Sequence, residues 1–397
     1  MCPNRPWINT IHHPSSVAPP ISPSFPPIAM EPFPAITISN AIAIVLVLLP
    51  ISWHWRAKNI GTLLYIGWTV LGNLNWLINT IVWRGTWEEL APRWCDFSSK
   101  IIIGQSVGLT AASLCINRKL YNIATIQSVT RSPKSKRIND IVDLCLGILL
   151  PIIVMALHYV VQPNRYNIIE NIGCWPPSQP TLLTVPMTTI WPIIIGTASF
   201  IYCGLSIRAF LSARQQFNQV LNNSGSGVNM SRYFRLMALA TEEMLFTLPF
   251  AIFLLVTNLT RFPVVPWVSW EDTHLDYYKV IKTPWILLRA DPMSYNTMMI
   301  NLWVLPAGGF LFFIWFGLGG EAIASYKNAF WKVAGLFGIK PKPKTVPASR
   351  WQSQLASNTS SAPSRAHAQL QSLPDLEENE PKRSSEEDLE AAKAHAV

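Results

Sequence analysis

Seven runs of apolar residues divide this chain, each near the roughly 20 residues a helix needs to cross the hydrocarbon core of a bilayer. They fall at about 35–54, 60–83, 97–117, 140–161, 187–210, 235–257 and 298–320. Runs of this length leave few folding options. In lipid every backbone N–H and C=O must find its partner inside the protein, which a helix provides within a single segment. The sequence therefore predicts an all-α membrane protein, a seven-transmembrane helix bundle over 35–320. Pro50, Pro151, Pro192, Pro249 and Pro306 lie inside the runs. Membrane helices tolerate proline, and each predicts a kink.

The charge balance fits this reading. Only 13% of the 397 residues are charged, about half the roughly 25% of an average soluble chain. A net charge of +9 raises nucleic acid as a partner. The basic residues, however, sit in short loops between apolar runs, where they set orientation, so no nucleic-acid partner is expected. An odd number of spans puts the termini on opposite sides. One set of loops, with the tail as far as Lys344, holds 17 Lys and Arg, and the other set holds 8. By the positive-inside rule the first set is cytoplasmic, the N-terminus is outside, and the C-terminus is inside, as in a multi-pass plasma-membrane protein.

Residues 1–34 contain ten prolines and no apolar run, so they are expected to form a disordered extracellular segment. Met30 opens a short N-terminus of its own, and the first 29 residues read equally as an upstream extension. After the seventh span, EAIASYKNAFWKVAGLFG (321–338) repeats apolar residues at three- and four-residue steps. This pattern predicts an amphipathic helix on the membrane surface. Residues 339–397 are polar and low in aromatics, which predicts a disordered cytoplasmic tail.

Motifs for soluble enzymes are missing. There is no phosphate-binding loop, zinc helix or nucleophile elbow, and the six cysteines form no metal pattern. No catalytic residue, cofactor or metal is therefore expected. Cys115, Cys145 and Cys203 fall in apolar runs and read as packing residues. The seventh span has no lysine, so a retinal Schiff base is ruled out. Polar residues inside spans are costly and often functional. Lys100 is near the outer end of the third span, where it either snorkels to the surface or faces a ligand or an acidic partner. His158, at the outer end of the fourth span, reads as an interfacial residue or a ligand contact. Glu242 and Glu243 lie two turns into the sixth span, and at least one of them must face the bundle interior. Asn75 and Asn79 share one face of the second span, which predicts an inward polar face.

Four strings carry a resemblance to a known family. They are LLPISWHWRAKNIGTLLYIGW (48–68), WCDFSSKIIIGQSVGLTAASLCINRKLY (94–121), ALHYVVQPNRYNIIENIGC (156–174) and YFRLMALATEE (233–243). In this order they resemble the fungal a-factor-type lipopeptide pheromone receptors, and they look closest to the mating-type receptors of mushroom-forming fungi. The resemblance spans about residues 36–331. It implies a G protein-coupled receptor for a short secreted peptide that is farnesylated at a C-terminal cysteine. It also implies a heterotrimeric G protein as the inner partner and a mating response. The alternative is a polytopic small-molecule transporter or channel. Such proteins often carry inverted repeats, and none is visible here.

The resemblance also points to a disulfide between Cys95 and Cys174. Both lie on the predicted outer, oxidising side, with two free thiols as the alternative reading. Trp267 and Trp270 stand in a long third outer loop, about 258–297. They read either as interface anchors or, with the Cys174 loop, as part of a lid over a peptide pocket. At the inner ends of the third and sixth spans, Arg118, Lys119, Arg232 and Arg235 are candidates for G-protein coupling, against the plainer reading of positive-inside charge. Membrane lipid is the surrounding partner in either case.

Overall fold

The computed structural model describes residues 33–125, 133–212, 230–261 and 263–336. The expectations for 1–32 and 337–397, and for the inner-loop residues 126–132 and 213–229, fall outside the described residues.

Seven long helices follow one another. They are α1 (Phe33–Arg56), α2 (Ile60–Val82), α3 (Pro92–Ala124), α4 (Lys134–Val161), α5 (Val185–Ser212), α6 (Met230–Arg261) and α7 (Pro292–Phe316). Six are long and apolar enough to cross a membrane. The exception is α2, whose 23 residues carry no charge but include Asn73, Asn75 and Asn79. All three asparagines are buried, so the polar face points inward as expected. The chain folds as a seven-transmembrane bundle. An eighth helix, α8 (Gly320–Leu336), follows a turn at Gly317–Gly319. The chain divides into two units at Ala329/Phe330, with the seven helices and their loops in the first.

The centre of the bundle is α3, which packs against α2, α4, α5 and α6, while α1 joins α2 to α7. Small side chains let it serve four neighbours. Gly104, Gly108, Ala111, Ala112 and Ser113 are all buried on it, and small residues allow membrane helices to approach closely. The Trp68 ring of α2 lies against Gly108, and Met155 of α4 lies against Gly104.

The helices depart from regularity at defined places. Pro50 interrupts α1 between Leu48 and Ile51. Pro249 and Pro306 sit inside α6 and α7, each removing one rung of the backbone ladder. One wide turn, Cys145–Leu149, loosens α4. There the Trp68 indole N–H donates to the Gly147 carbonyl at 2.8 Å, so the wide turn is tied to α2. Cys115 and Cys203 are buried, but Cys145 is exposed on the outside of the bundle. Packing does not need Cys145, because an apolar run in a spanning helix covers lipid-facing positions as well as core ones.

The bundle end that bears Cys95 and Cys174 carries a three-stranded sheet in the order β2-β1-β3. Strands β1 (Asn167–Ile169) and β2 (Gly173–Trp175) form an antiparallel hairpin, and β3 (Ile281–Thr283) joins β1 in parallel. The hairpin turn needs positive φ at Asn171 (66°) and Gly173 (91°). Asparagine and glycine are the residues that accept this backbone most readily. A Cβ on Gly173 would also press on Asn79 and Trp83.

Candidate functional site

A lid closes the sheet-bearing end of the bundle. Cys95 in the first turn of α3 is disulfide-bonded to Cys174 in β2, with Cα atoms 5.1 Å apart and both residues fully buried. The two loops of the lid are held to each other by backbone bonds. Arg165 N–H donates to Tyr277 O at 2.7 Å, Glu170 N–H to Thr283 O at 3.0 Å, and Val265 N–H to Pro180 O at 3.0 Å. Side chains add to this. The Glu170 carboxylate accepts from Trp285 N–H at 2.7 Å, and Arg165 forks onto Asp96 at 2.6 and 2.5 Å. The Tyr166 hydroxyl donates to Glu89. Burial and that carboxylate push the Tyr166 phenol above its ordinary range, so it acts as a neutral donor. An Arg261–Asp291 ion pair ties the lid-side ends of α6 and α7. The Ser294 hydroxyl and Arg261 hold the Asp291 carboxyl below the usual carboxylate range. Its contribution is therefore complete above about pH 4 and fades only as acid titrates the lowered group.

Under this lid is a cavity of about 560 Å³. Trp175 to Thr184 form its roof, and α2, α3, α5, α6 and α7 form its walls. Among the described residues no charged side chain lines it. Phe250, Leu254, Leu255 and Leu259 give the α6 wall an apolar surface, whereas Thr181, Thr184, Thr188 and Thr189 give the roof and α5 a hydroxyl surface. A cavity of this kind accepts a ligand that is neutral and amphipathic where it enters. A charge brought inside would meet no counter-charge among the described residues.

The structure brings two of the predicted ligand residues together. Lys100 is half-buried. Its Nζ lies 2.6 Å from Gln162 Oε1 and 3.1 Å from His158 Nδ1. His158 is buried, and its Nε2 lies 3.0 Å from the Pro177 carbonyl. A carbonyl only accepts, so Nε2 carries the proton and Nδ1 accepts from Lys100. Nε2 also lies 3.1 Å from Ser178 Oγ, and Ser178 lines the cavity. Lys100 and His158 thus border the cavity through Ser178 and the roof without lining it. Trp267 and Trp270 stand apart from them. Trp270 is 44% exposed and stacks on His274 at 4.1 Å, while Trp267 is 38% exposed. Trp285, from the same loop, is buried against Phe33 at 4.6 Å.

At the opposite end, Arg118 is not a loose surface charge. It pairs with Asp143 of α4 at 2.5 Å and donates to Asn139 O at 3.0 Å, with the two charged side chains 18% and 10% exposed. One residue earlier, the buried Asn117 donates to Ser199 Oγ of α5 at 2.9 Å. Lys119 donates to Asn59 Oδ1 at 3.0 Å, and Arg235 reaches Trp315 O at 3.5 Å. Arg232 lies in the first turn of α6, and Glu242 and Glu243 lie further along it; their side chains are outside the description. Sequence reasoning missed Asp143, an acid inside the fourth apolar run whose position within a span is itself a signal. It also missed Thr69, Gln105 and Asn301 on the cavity walls. Lone polar residues in long apolar helices give no sign of a shared site.

Residues 35–336 match the family model described as Pheromone A receptor. The chain belongs to that family. Pheromone A receptors are not enzymes. The chain is 39% identical over 309 residues to the Pheromone B alpha 3 receptor of Schizophyllum commune, covering 78% of this chain and 49% of that one. It is 33% identical over 305 residues to Pheromone receptor 1 of Mycosarcoma maydis, covering 76% and 85%. It is 27% identical over 294 residues to the Pheromone a factor receptor of Saccharomyces cerevisiae, covering 72% and 59%. The chain spans about half the length of the Schizophyllum relatives it matches (49%, 49% and 48%). Like its family, this pheromone A receptor homologue is a multi-pass membrane protein.

Proposed function

We propose that this chain is a plasma-membrane receptor for a secreted, farnesylated peptide pheromone, and that it activates a heterotrimeric G protein to start a mating response. The observation that supports this most is a cavity with no charged side chain among the described residues that line it, under a covalently anchored lid, in a chain of this family. The peptide part occupies the cavity beneath the roof. The prenyl chain enters from the lipid, since each buried CH₂ gains about 0.8 kcal/mol. Lys100 and His158 stiffen the roof through Pro177 and Ser178 and so shape the ligand site from behind. Trp267 and Trp270 stand at the outer edge of the lid, where the lipopeptide arrives. The test is a reporter response in cells given synthetic peptides with and without the farnesyl group. Only the farnesylated forms should elicit a response. A response that ignores the lipid, or no response to any member of the panel, overturns the reading.

In this reading the lid faces outward and Arg118, Lys119, Arg232 and Arg235 face the cytoplasm. The amphipathic α8 then lies along the inner membrane surface. A tag placed after Val397 should resist protease on intact cells and become sensitive once the cells are permeabilised. Cleavage without permeabilisation reverses the topology and removes the inner-face assignment.

A further inference from the structure

We propose that Thr69, Gln105 and Asn301, on α2, α3 and α7, form a subsite at the cavity wall that binds one uncharged backbone amide of the ligand. The proposal rests on the reading of the cavity as a peptide site. All three residues line the cavity. Thr69 is 1% exposed, yet its Oγ1 has no hydrogen-bond partner among the described residues, and neither has Gln105 Oε1. Most buried polar groups in proteins are paired; both atoms are closed off as the side chains stand, so the subsite forms when the Thr69 and Gln105 side chains turn toward a partner from outside the chain. Asn301 donates to Thr297 O at 2.9 Å within its own helix, which leaves its carboxamide oxygen as an acceptor.

The chemistry of these groups selects the partner. A carboxamide offers one donor face and one acceptor face, and a threonine hydroxyl offers both. A peptide bond presents the complementary N–H and C=O without charge. A terminal ammonium or carboxylate would find no counter-charge among the described residues that line the cavity. Gly72 makes the placement possible. A Cβ there would collide with Gln105 Oε1 and with Leu305 Cδ2, so the glycine leaves the room in which the carboxamide sits.

The absence of partners among the described residues separates this role from a structural one. Removing a polar atom that holds the fold together lowers the melting temperature. Removing an orphan does not, and it relieves an unsatisfied group. The experiment uses the full-length receptor in lipid nanodiscs and the synthetic farnesylated peptide that gives the strongest reporter response. Companion peptides are methylated at one backbone nitrogen at a time. Thr69→Val and Gln105→Leu should each weaken the parent peptide by roughly tenfold, the scale of one hydrogen bond. The empty variants should melt at or above the unaltered receptor. One N-methyl peptide should lose the same factor on the unaltered receptor and nothing further on Gln105→Leu. Gly72→Ala, which crowds the carboxamide from behind, should weaken the parent peptide as well.

Unchanged affinity in both polar variants overturns the subsite. So does a fall in melting temperature with every N-methyl peptide affected alike, which would mean water or helix packing is the true partner. If no farnesylated peptide activates or binds the unaltered receptor, the reading of function fails and the subsite falls with it. These outcomes are distinguishable, because the first two require a peptide that binds.

Discussion

Serine in place of Cys95 or Cys174 is expected to destabilise the receptor by about 2–5 kcal/mol and to abolish ligand binding. The bond joins residues 79 apart in sequence, so its loss frees a long segment of the unfolded chain. It also frees the lid in the folded protein. Cys174 is the middle residue of β2, and the cavity roof begins at the next residue, Trp175. Both cysteines are fully buried, so serine would leave a hydroxyl with no designed partner there. Thermal melting of detergent-solubilised receptor, with and without reductant, checks the expectation. The double variant Cys95→Ser/Cys174→Ser should fall no further than either single one, since each change deletes the same bond. Single variants that melt with the unaltered receptor, or both thiols alkylated without prior reduction, would mean that the lid is not covalently tied.

Asp143→Ala is expected to cost about 3–5 kcal/mol, because it strands a guanidinium in a poorly hydrated place. The partners are only 18% and 10% exposed, so solvent screens the pair weakly. Arg118→Ala should be similarly damaging for the mirror reason. The double change Arg118→Ala/Asp143→Ala removes both charges and should recover most of the loss. A double-mutant cycle on melting temperature reads this coupling directly. The cycle matters for signalling. If Arg118 contacts the G protein in the proposed way, the double variant reaches the cell surface and binds pheromone but does not signal. Neither single variant can show this, since misfolding would silence it first. A double variant as unstable as the singles removes the pairing, and one that signals fully moves the coupling site elsewhere.

Long helices were legible because apolarity and length together force them. The span expected at 60–83 is the helix Ile60–Val82, and the one at 187–210 is Val185–Ser212. The ends were less visible where a helix continues past the apolar stretch. Expected at 97–117, α3 runs from Pro92 to Ala124, because hydrogen bonding continues through Arg118 and Lys119 where hydropathy stops. The opposite happens at α7, where the apolar run reaches 320 but the helix ends at Phe316, before the Gly317–Gly319 turn. The sheet left no trace in the sequence, since three-residue strands are too short to show alternation. The disulfide was legible from side and compartment together with family resemblance. Arg118 was visible as a charge but not as half of a pair, because Asp143 is 25 residues away and only the packing of α4 on α3 brings it near. The cavity could not be read at all. Its walls come from five helices, and no single helix announces which of its threonines will share a space with another's glutamine.

Strand β1 is bonded to β2 on one side and to β3 on the other, and more than 100 residues of chain separate the outer two (Trp175 and Ile281). In the proposed reading, ligand preference therefore depends on both lid loops together. A chimera with its junction between these strands takes the hairpin from one parent and the third strand from the other. The partners must then match in register: Asn167 with Ile281, Ile168 with Lys282 and Ile169 with Thr283. In a chimera with a related receptor, both segments should travel together, or the junction should lie outside the pair. A hybrid that splits the ladder should lose the ability to discriminate between ligands before it loses the ability to fold.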